Sequence, residues 1–199
     1  FGYHINPDNI KIIGLIPKGF NGEIRFLFIG RVMKEKGVNE LFEVAKRIKS
    51  EYDNVVFDVV GPFEEDYEII VQELEVNGII KFHGFQSDVK QFIEKANCFV
   101  LASYHEGMAN TLLESSAMGR PVITTNIHGC KEAYNKKNGY LCNPKDVDDL
   151  YDKISRFIEL PYLQKQSMGI EAAAEFDDSL MEKFFDKSNI VKSTIKRLE

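Results

Sequence analysis

The chain has 199 residues, with 25 Lys plus Arg against 31 Asp plus Glu, 44% hydrophobic and 28% charged residues, and a formal net charge of −6. That length bounds one generous domain, or one domain with a helical extension, and the composition is that of an ordinary soluble globular protein. The acidic balance argues against nucleic acid as a partner, because non-specific binding needs a basic face to displace counterions, but it leaves room for a local basic pocket. In chain order, an Asn-Pro-Asp-Asn turn signal precedes a short β-branched run at residues 10–15, which Pro17, Gly19 and the Asn21-Gly22 pair then break. Residues 24–29 (IRFLFI) read as a strand buried on both faces. Over residues 38–52, Val38, Leu41, Phe42, Ala45 and Ile48 share one helical face, with Glu40, Lys46 and Lys49 outside. A second buried strand at 55–60 ends at Gly61-Pro62, and a helix over 66–76 stops at Asn77-Gly78.

A third strand is expected at 79–82, followed by a helix carrying Val89, Phe92, Ile93 and Ala96 that Ser87 or Asp88 can cap. Strands at 99–102, 121–124 and 139–142 come next. Asp146 then starts a helix with Val147, Leu150, Tyr151, Ile154, Phe157 and Ile158 inward, and two further helices follow Pro161 and Ser179, the second with Ser179 and Glu182 at capping-box spacing. Strand–helix alternation at this spacing predicts an α/β fold, a parallel sheet of about six strands covered by helices on both faces. Ligands in such folds sit beyond the carboxyl ends of the strands, so the loops after Ile29, Val60, Phe82 and Ala102 share one crevice.

Cys98, Cys130 and Cys142 are an odd count without a C-x-x-C pair, and read as buried free thiols in a reducing compartment. No apolar run approaches the ~20 residues a spanning helix needs. The chain opens on Phe1 and reaches organised sequence quickly, as a piece of a longer protein would.

Three stretches carry chemistry. Gly30 to Gly37 (GRVMKEKG) lies between a strand and a helix, where backbone amides and the helix dipole favour an anion. Arg31 and Lys36 add a fork and a point charge suited to a diphosphate, and Gly30 and Gly37 permit tight turns; a solvated basic loop is the competing account. His83-Gly84-Phe85-Gln86 offers an aromatic and backbone groups to a nucleobase, or simply an aromatic that packs on the next helix, with His83 a packed histidine. The third stretch, residues 98–125, holds Glu106 and Glu114 eight positions apart. Thr111 and Glu114 have capping-box spacing, so Glu114 has a structural task available. Glu106 has no evident one. Paired carboxylates at a crevice rim suit sugar hydroxyls, and the amides of Gly107, Met108, Ala109, Asn110 and Thr111 suit a phosphate or the sugar. A glycosidase pair fits less well, because basic residues face the same pocket. The scattered histidines form no metal site, and His105 beside Glu106 is the one placed where a ligand could reach it.

Four segments in order, FIGRVMKEKG, HEGMANTLLESSAMGRPVITT, HGCKE and NGYLCNPKD, resemble the donor-binding domain of family 4 retaining glycosyltransferases, over about residues 24–157. The resemblance implies a Rossmann-like half of a two-domain GT-B enzyme. Residues 1–22 would be an interdomain linker remnant with a short strand. Residues 23–160 would be the nucleotide-sugar-binding domain. Residues 161–199 would be helices packing on it or toward an absent acceptor domain, with an apolar stripe on Leu180, Phe184, Val191 and Ile195. It further implies that Arg31 and Lys36 bind the donor diphosphate, Glu114 the ribose, Glu106 the transferred sugar, and the Gly84–Gln86 loop the base. Transfer would be metal-independent and retaining, from a nucleoside diphosphate sugar, UDP favoured over GDP, to a glycan or lipid-linked acceptor, with no nucleophile assigned. The setting would be cytoplasmic, at the inner membrane face if the full-length enzyme associates with it. Without the acceptor domain the chain should bind donor but transfer sugar poorly. Ala109 stands where many relatives have Pro, and the usual asparagine-glycine-rich turn before the first strand is missing. A non-catalytic nucleotide-binding module and one half of a nucleotide-sugar epimerase are the alternatives; an epimerase should show further acid–base residues, and none is identifiable.

Overall fold

The apolar runs IRFLFI and VVFDVV form the two longest strands, β1 (Ile24–Ile29) and β2 (Val55–Val60), of a computed structural model that describes residues 16–19 and 22–174. They pair in parallel from Ile24 against Val55 to Ile29 against Val60. β3 (Lys81–Phe82), β4 (Cys98–Leu101), β5 (Val122–Thr125) and β6 (Gly139–Cys142) complete a six-stranded sheet in the order β3-β2-β1-β4-β5-β6. Successive residues of a strand point to opposite faces. Phe26, Leu27, Phe28 and Ile29 are each only 1% exposed, so both faces of the central strand are covered. Phe26 stacks on Phe57 and meets Phe157 edge to face, tying β1 and β2 to a C-terminal helix.

The helices are α1 (Val38–Glu51), α2 (Glu68–Val76), α3 (Lys90–Lys95), α4 (Asn110–Ala117), α5 (Val147–Glu159) and α6 (Tyr162–Ala174). Asp146 stands at the start of α5 as expected and caps it, accepting from Asp149 N at 2.9 Å. Asp88, not Ser87, serves α3, accepting from Lys90 N at 3.0 Å. Val147 and Tyr151, expected inward on α5, are only half-buried. β4 and β5 each lie one residue from the expected 99–102 and 121–124, and three larger differences need correction. β3 is two residues rather than four, because the Ile79 amide turns back to Leu74 O at the end of α2. α2 starts at Glu68. Glu40 is buried, not outside: both of its carboxylate oxygens accept from the Tyr104 hydroxyl, at 2.7 and 2.8 Å, and a buried acid needs such a donor. The run at residues 10–15 and the helix with its apolar stripe after Ser179 lie outside the described residues.

Ahead of β1, Gln166 on α6 reads both backbone groups of Ile16, accepting from its N–H at 3.1 Å and donating to its carbonyl at 2.6 Å. Asn97 donates to Pro17 O and accepts from Arg25 N, so residues 16–19 are strapped beside the sheet. All three cysteines are free and buried. Among the described residues no helix is long and apolar enough to cross a membrane.

Gly61 sets how closely the loops after β1 and β2 approach. It has φ of 145°, and a Cβ there would stand 1.8 Å from Gly30 O. Gly61→Ala should therefore destabilise the domain by more than about 1 kcal/mol, since the backbone region excludes a side chain and the obstacle is backbone. Urea denaturation checks this; an unchanged midpoint would show that the two loops separate at no cost.

Candidate functional site

Strand order reverses direction between β1 and β4, so the loops leaving their carboxyl ends diverge, and a crevice opens where they part. A cavity of about 790 Å³ occupies that position. Ile29, Gly30, Arg31 and Lys36 reach it from the end of β1, Gly61, Pro62 and Glu64 from β2, and Phe85 from β3. Leu101, Glu106, Met108, Ala109, Asn110 and Thr111 reach it from β4 and the start of α4. Loops widely separated in sequence thus converge as expected. Gly107 and Glu114 are not among the lining residues.

The basic loop is not simply solvated. It forms a short 3-10 turn at Lys34–Lys36, closed by Gly37 in the left-handed region at φ 70°. A Cβ on Gly37 would stand 2.0 Å from Ala102 O, so the loop lies directly against the end of β4. Gly30 does not adopt a positive φ; what it needs is the missing side chain, since a Cβ would crowd the Phe28 ring at 3.1 Å. Lys36 reaches across to Glu106, Nζ to Oε1 at 2.5 Å, with side-chain exposures of 18% and 10%. Ser103 Oγ donates to the same oxygen at 2.8 Å. Glu106 therefore has a structural task that its sequence context hid: it bridges the β1 and β4 loops. Arg31 is half-exposed and pairs with Glu64 at 3.2 Å.

Glu114 departs from expectation in the opposite way. No capping box forms. α4 begins after Ala109 without a side-chain cap, and Thr111 Oγ1 donates instead to Ile29 O at 3.3 Å. Among the described residues the Glu114 carboxyl has no hydrogen bond or ion pair, and burial alone pushes its pKa up to about 7. The amides at the start of α4 are partly spent: Ala109 N donates to Gly129 O at 3.0 Å and Asn110 N to Met108 O at 3.1 Å. A Pro at position 109 would forfeit the first of these bonds. Gly107 is exposed, with open space where a side chain would stand.

Phe85 is 63% exposed and faces the cavity, which excludes the account in which it packs on the following helix. His83 is a structural residue, with Nε2 2.7 Å from Asp58 Oδ1 and its ring against Phe92. His105 is 81% exposed and pairs with Glu35 at 3.1 Å. Sequence reasoning missed Glu64 and Ser103. Only the acid following Gly61-Pro62 at a strand end could have signalled the first; nothing marked the second.

The fold and crevice define an open, doubly wound α/β domain with cations and carboxylates gathered at its switch point. Residues 16–176 match the glycosyl transferases group 1 family, and the chain belongs to it. It is 33% identical over 134 residues to the N,N'-diacetylbacillosaminyl-diphospho-undecaprenol alpha-1,3-N-acetylgalactosaminyltransferase of Campylobacter jejuni, a match covering 67% of this chain and 35% of that protein. The chain spans under half the length of the curated relatives it matches first. Among solved structures, the Anabaena HepE protein in complex with UDP and glucose superposes with a TM-score of 0.71 at 20% identity, covering 94% of this chain and 53% of that one. The C-terminal domain of LpcC, a glycosyl transferase group 1 family protein from Francisella tularensis, gives 0.67 at 25% identity, over 76% of this chain and 83% of that one.

A raised carboxyl pKa has a defined consequence for stability. Between the ordinary 4.5 and about 7 the folded chain holds the Glu114 proton and the unfolded chain does not, so stability falls as pH rises through that window. Glu114→Gln should match the unsubstituted protein near pH 4.5 and exceed it above pH 7 by on the order of 2–3 kcal/mol at most. Chemical denaturation at the two pH values measures the difference; equal stabilities throughout would mean the carboxyl is solvated.

Proposed function

We propose that this chain is the donor-binding domain of a retaining glycosyltransferase, taking a nucleoside diphosphate sugar, a UDP-sugar, in the crevice between β1 and β4. The observation that carries the reading is the convergence of Arg31, Lys36 and Glu106 at the carboxyl ends of these strands, beside an exposed aromatic at Phe85. A guanidinium fork and an ammonium supply counter-charge for a diphosphate, and carboxylates accept from sugar and ribose hydroxyls. Phe85 offers a face for the base.

In this reading the domain's chemical contribution is electrostatic. Negative charge builds on the leaving diphosphate as the glycosidic bond breaks, and Arg31 and Lys36 stabilise it in place of a metal ion. Glu106, fixed by Lys36 and Ser103, positions the transferred sugar. Glu114, behind the lining residues Asn110 and Thr111 and with no partner among the described residues, receives the ribose diol once it is ionised, above about pH 7. The acceptor, a glycan or a lipid-linked saccharide, would be held by a second domain of the intact enzyme. The GT-B architecture, the UDP complex of a neighbour and the lipid-linked substrate in a relative's name support this assignment.

Calorimetric titration tests it. UDP should bind more tightly than uridine, with no change on adding EDTA. Arg31→Ala should cost about 1.5–3 kcal/mol, roughly 10- to 150-fold in affinity. Glu114→Gln should weaken UDP binding at pH 8 while raising stability there. Equal affinity for UDP and uridine would sink the diphosphate assignment.

A further inference from the structure

The two crevice cations are held in different ways. Lys36 and Glu106 are nearly buried, and Ser103 joins them, so that pair is part of the frame. Arg31 and Glu64 are exposed by 52% and 48% and stand 3.2 Å apart, a pair that solvent screens. We propose that Glu64 is a built-in competitor for the diphosphate: it holds Arg31 and so weakens the domain's grip on the nucleoside diphosphate. The inference rests on the donor-binding reading and adds to it a residue that sets affinity.

Backbone geometry keeps the segment that carries Glu64 beside the Arg31 loop. Val32 N donates to Pro62 O at 2.8 Å and Glu64 N donates to Val32 O at 3.1 Å, a parallel bridge that extends the β1–β2 pairing past both strands. Lys34 N adds a bond to the Glu65 carboxylate at 2.8 Å, so the segments carrying Arg31 and Glu64 are zipped together on both sides of the pair. A diphosphate can exchange for Glu64 at the guanidinium, because charge-assisted bidentate bonds to phosphate outweigh an exposed ion pair. The displaced carboxylate stays on a residue of the cavity lining, close enough for its charge to oppose the diphosphate. Such an arrangement limits how tightly the nucleotide product is held, and so favours its release.

The experiment is a titration of the chain with UDP and with inorganic pyrophosphate, by calorimetry and by NMR for the weak variants. Glu64→Gln should tighten both by about two- to fivefold, the range an exposed pair commands, with an unchanged melting temperature. In an Arg31→Ala background the same substitution should have little effect. Weaker binding by Glu64→Gln would overturn the proposal, making Glu64 a ligand contact. An equal gain with and without Arg31 would overturn it too, since the effect would be general repulsion. Pyrophosphate that responds to Glu64→Gln while uridine adds no affinity would keep the competitor role and defeat the nucleotide reading. Absence of binding by both probes in every variant defeats both.

Discussion

The bond between Lys36 and Glu106 is the interaction on which the crevice depends. The parallel sheet sends the β1 and β4 loops in opposite directions at its switch point, which creates a gap but does not define its width. An ion pair with both members nearly buried spans that gap and is reinforced by Ser103. Removing either partner would leave an uncompensated charge in a poorly solvated place, far more costly than losing an exposed pair. Gly37 lying against Ala102 and Tyr104 N donating to Glu35 O at 2.9 Å close the two loops at the backbone level as well.

Around that frame the domain distributes its carboxylates by environment. Glu106 is ion-paired, and Glu40 is buried but satisfied by a phenol. Glu64 is exposed and held to a guanidinium, whereas Glu114 is half-buried with no partner among the described residues. Four residues with one functional group thus serve as strut, anchor, competitor and candidate ligand. Glu114 is the expensive one. A half-buried carboxyl without a partner among the described residues is a standing cost, which shows in its raised pKa.

Much of this was legible in the residues. IRFLFI and VVFDVV read as doubly buried strands because no polar face interrupts them, and Gly139–Cys142 matched to the residue. Asp146 was readable as the start of a helix because capping is local, an oxygen three residues from the amide that donates to it. Local logic failed where distant partners intervened. Thr111 and Glu114 have capping-box spacing, yet Thr111 turned to Ile29, 82 positions away. Glu40 looked like an outside residue until Tyr104, 64 positions on, came to meet it.

Spacing and polarity along the chain therefore determined the alternating α/β order, the places where loops gather and the types of group available to a ligand, because hydrophobic periodicity and turn chemistry act over a few residues. Tertiary structure alone decided which of those groups pair with one another. Ion pairs and hydrogen bonds form between atoms a few ångströms apart whatever their separation in sequence, so the bonding of Lys36 to Glu106 and of Arg31 to Glu64, and the lack of a partner for Glu114 among the described residues, became visible only once the strands were in register.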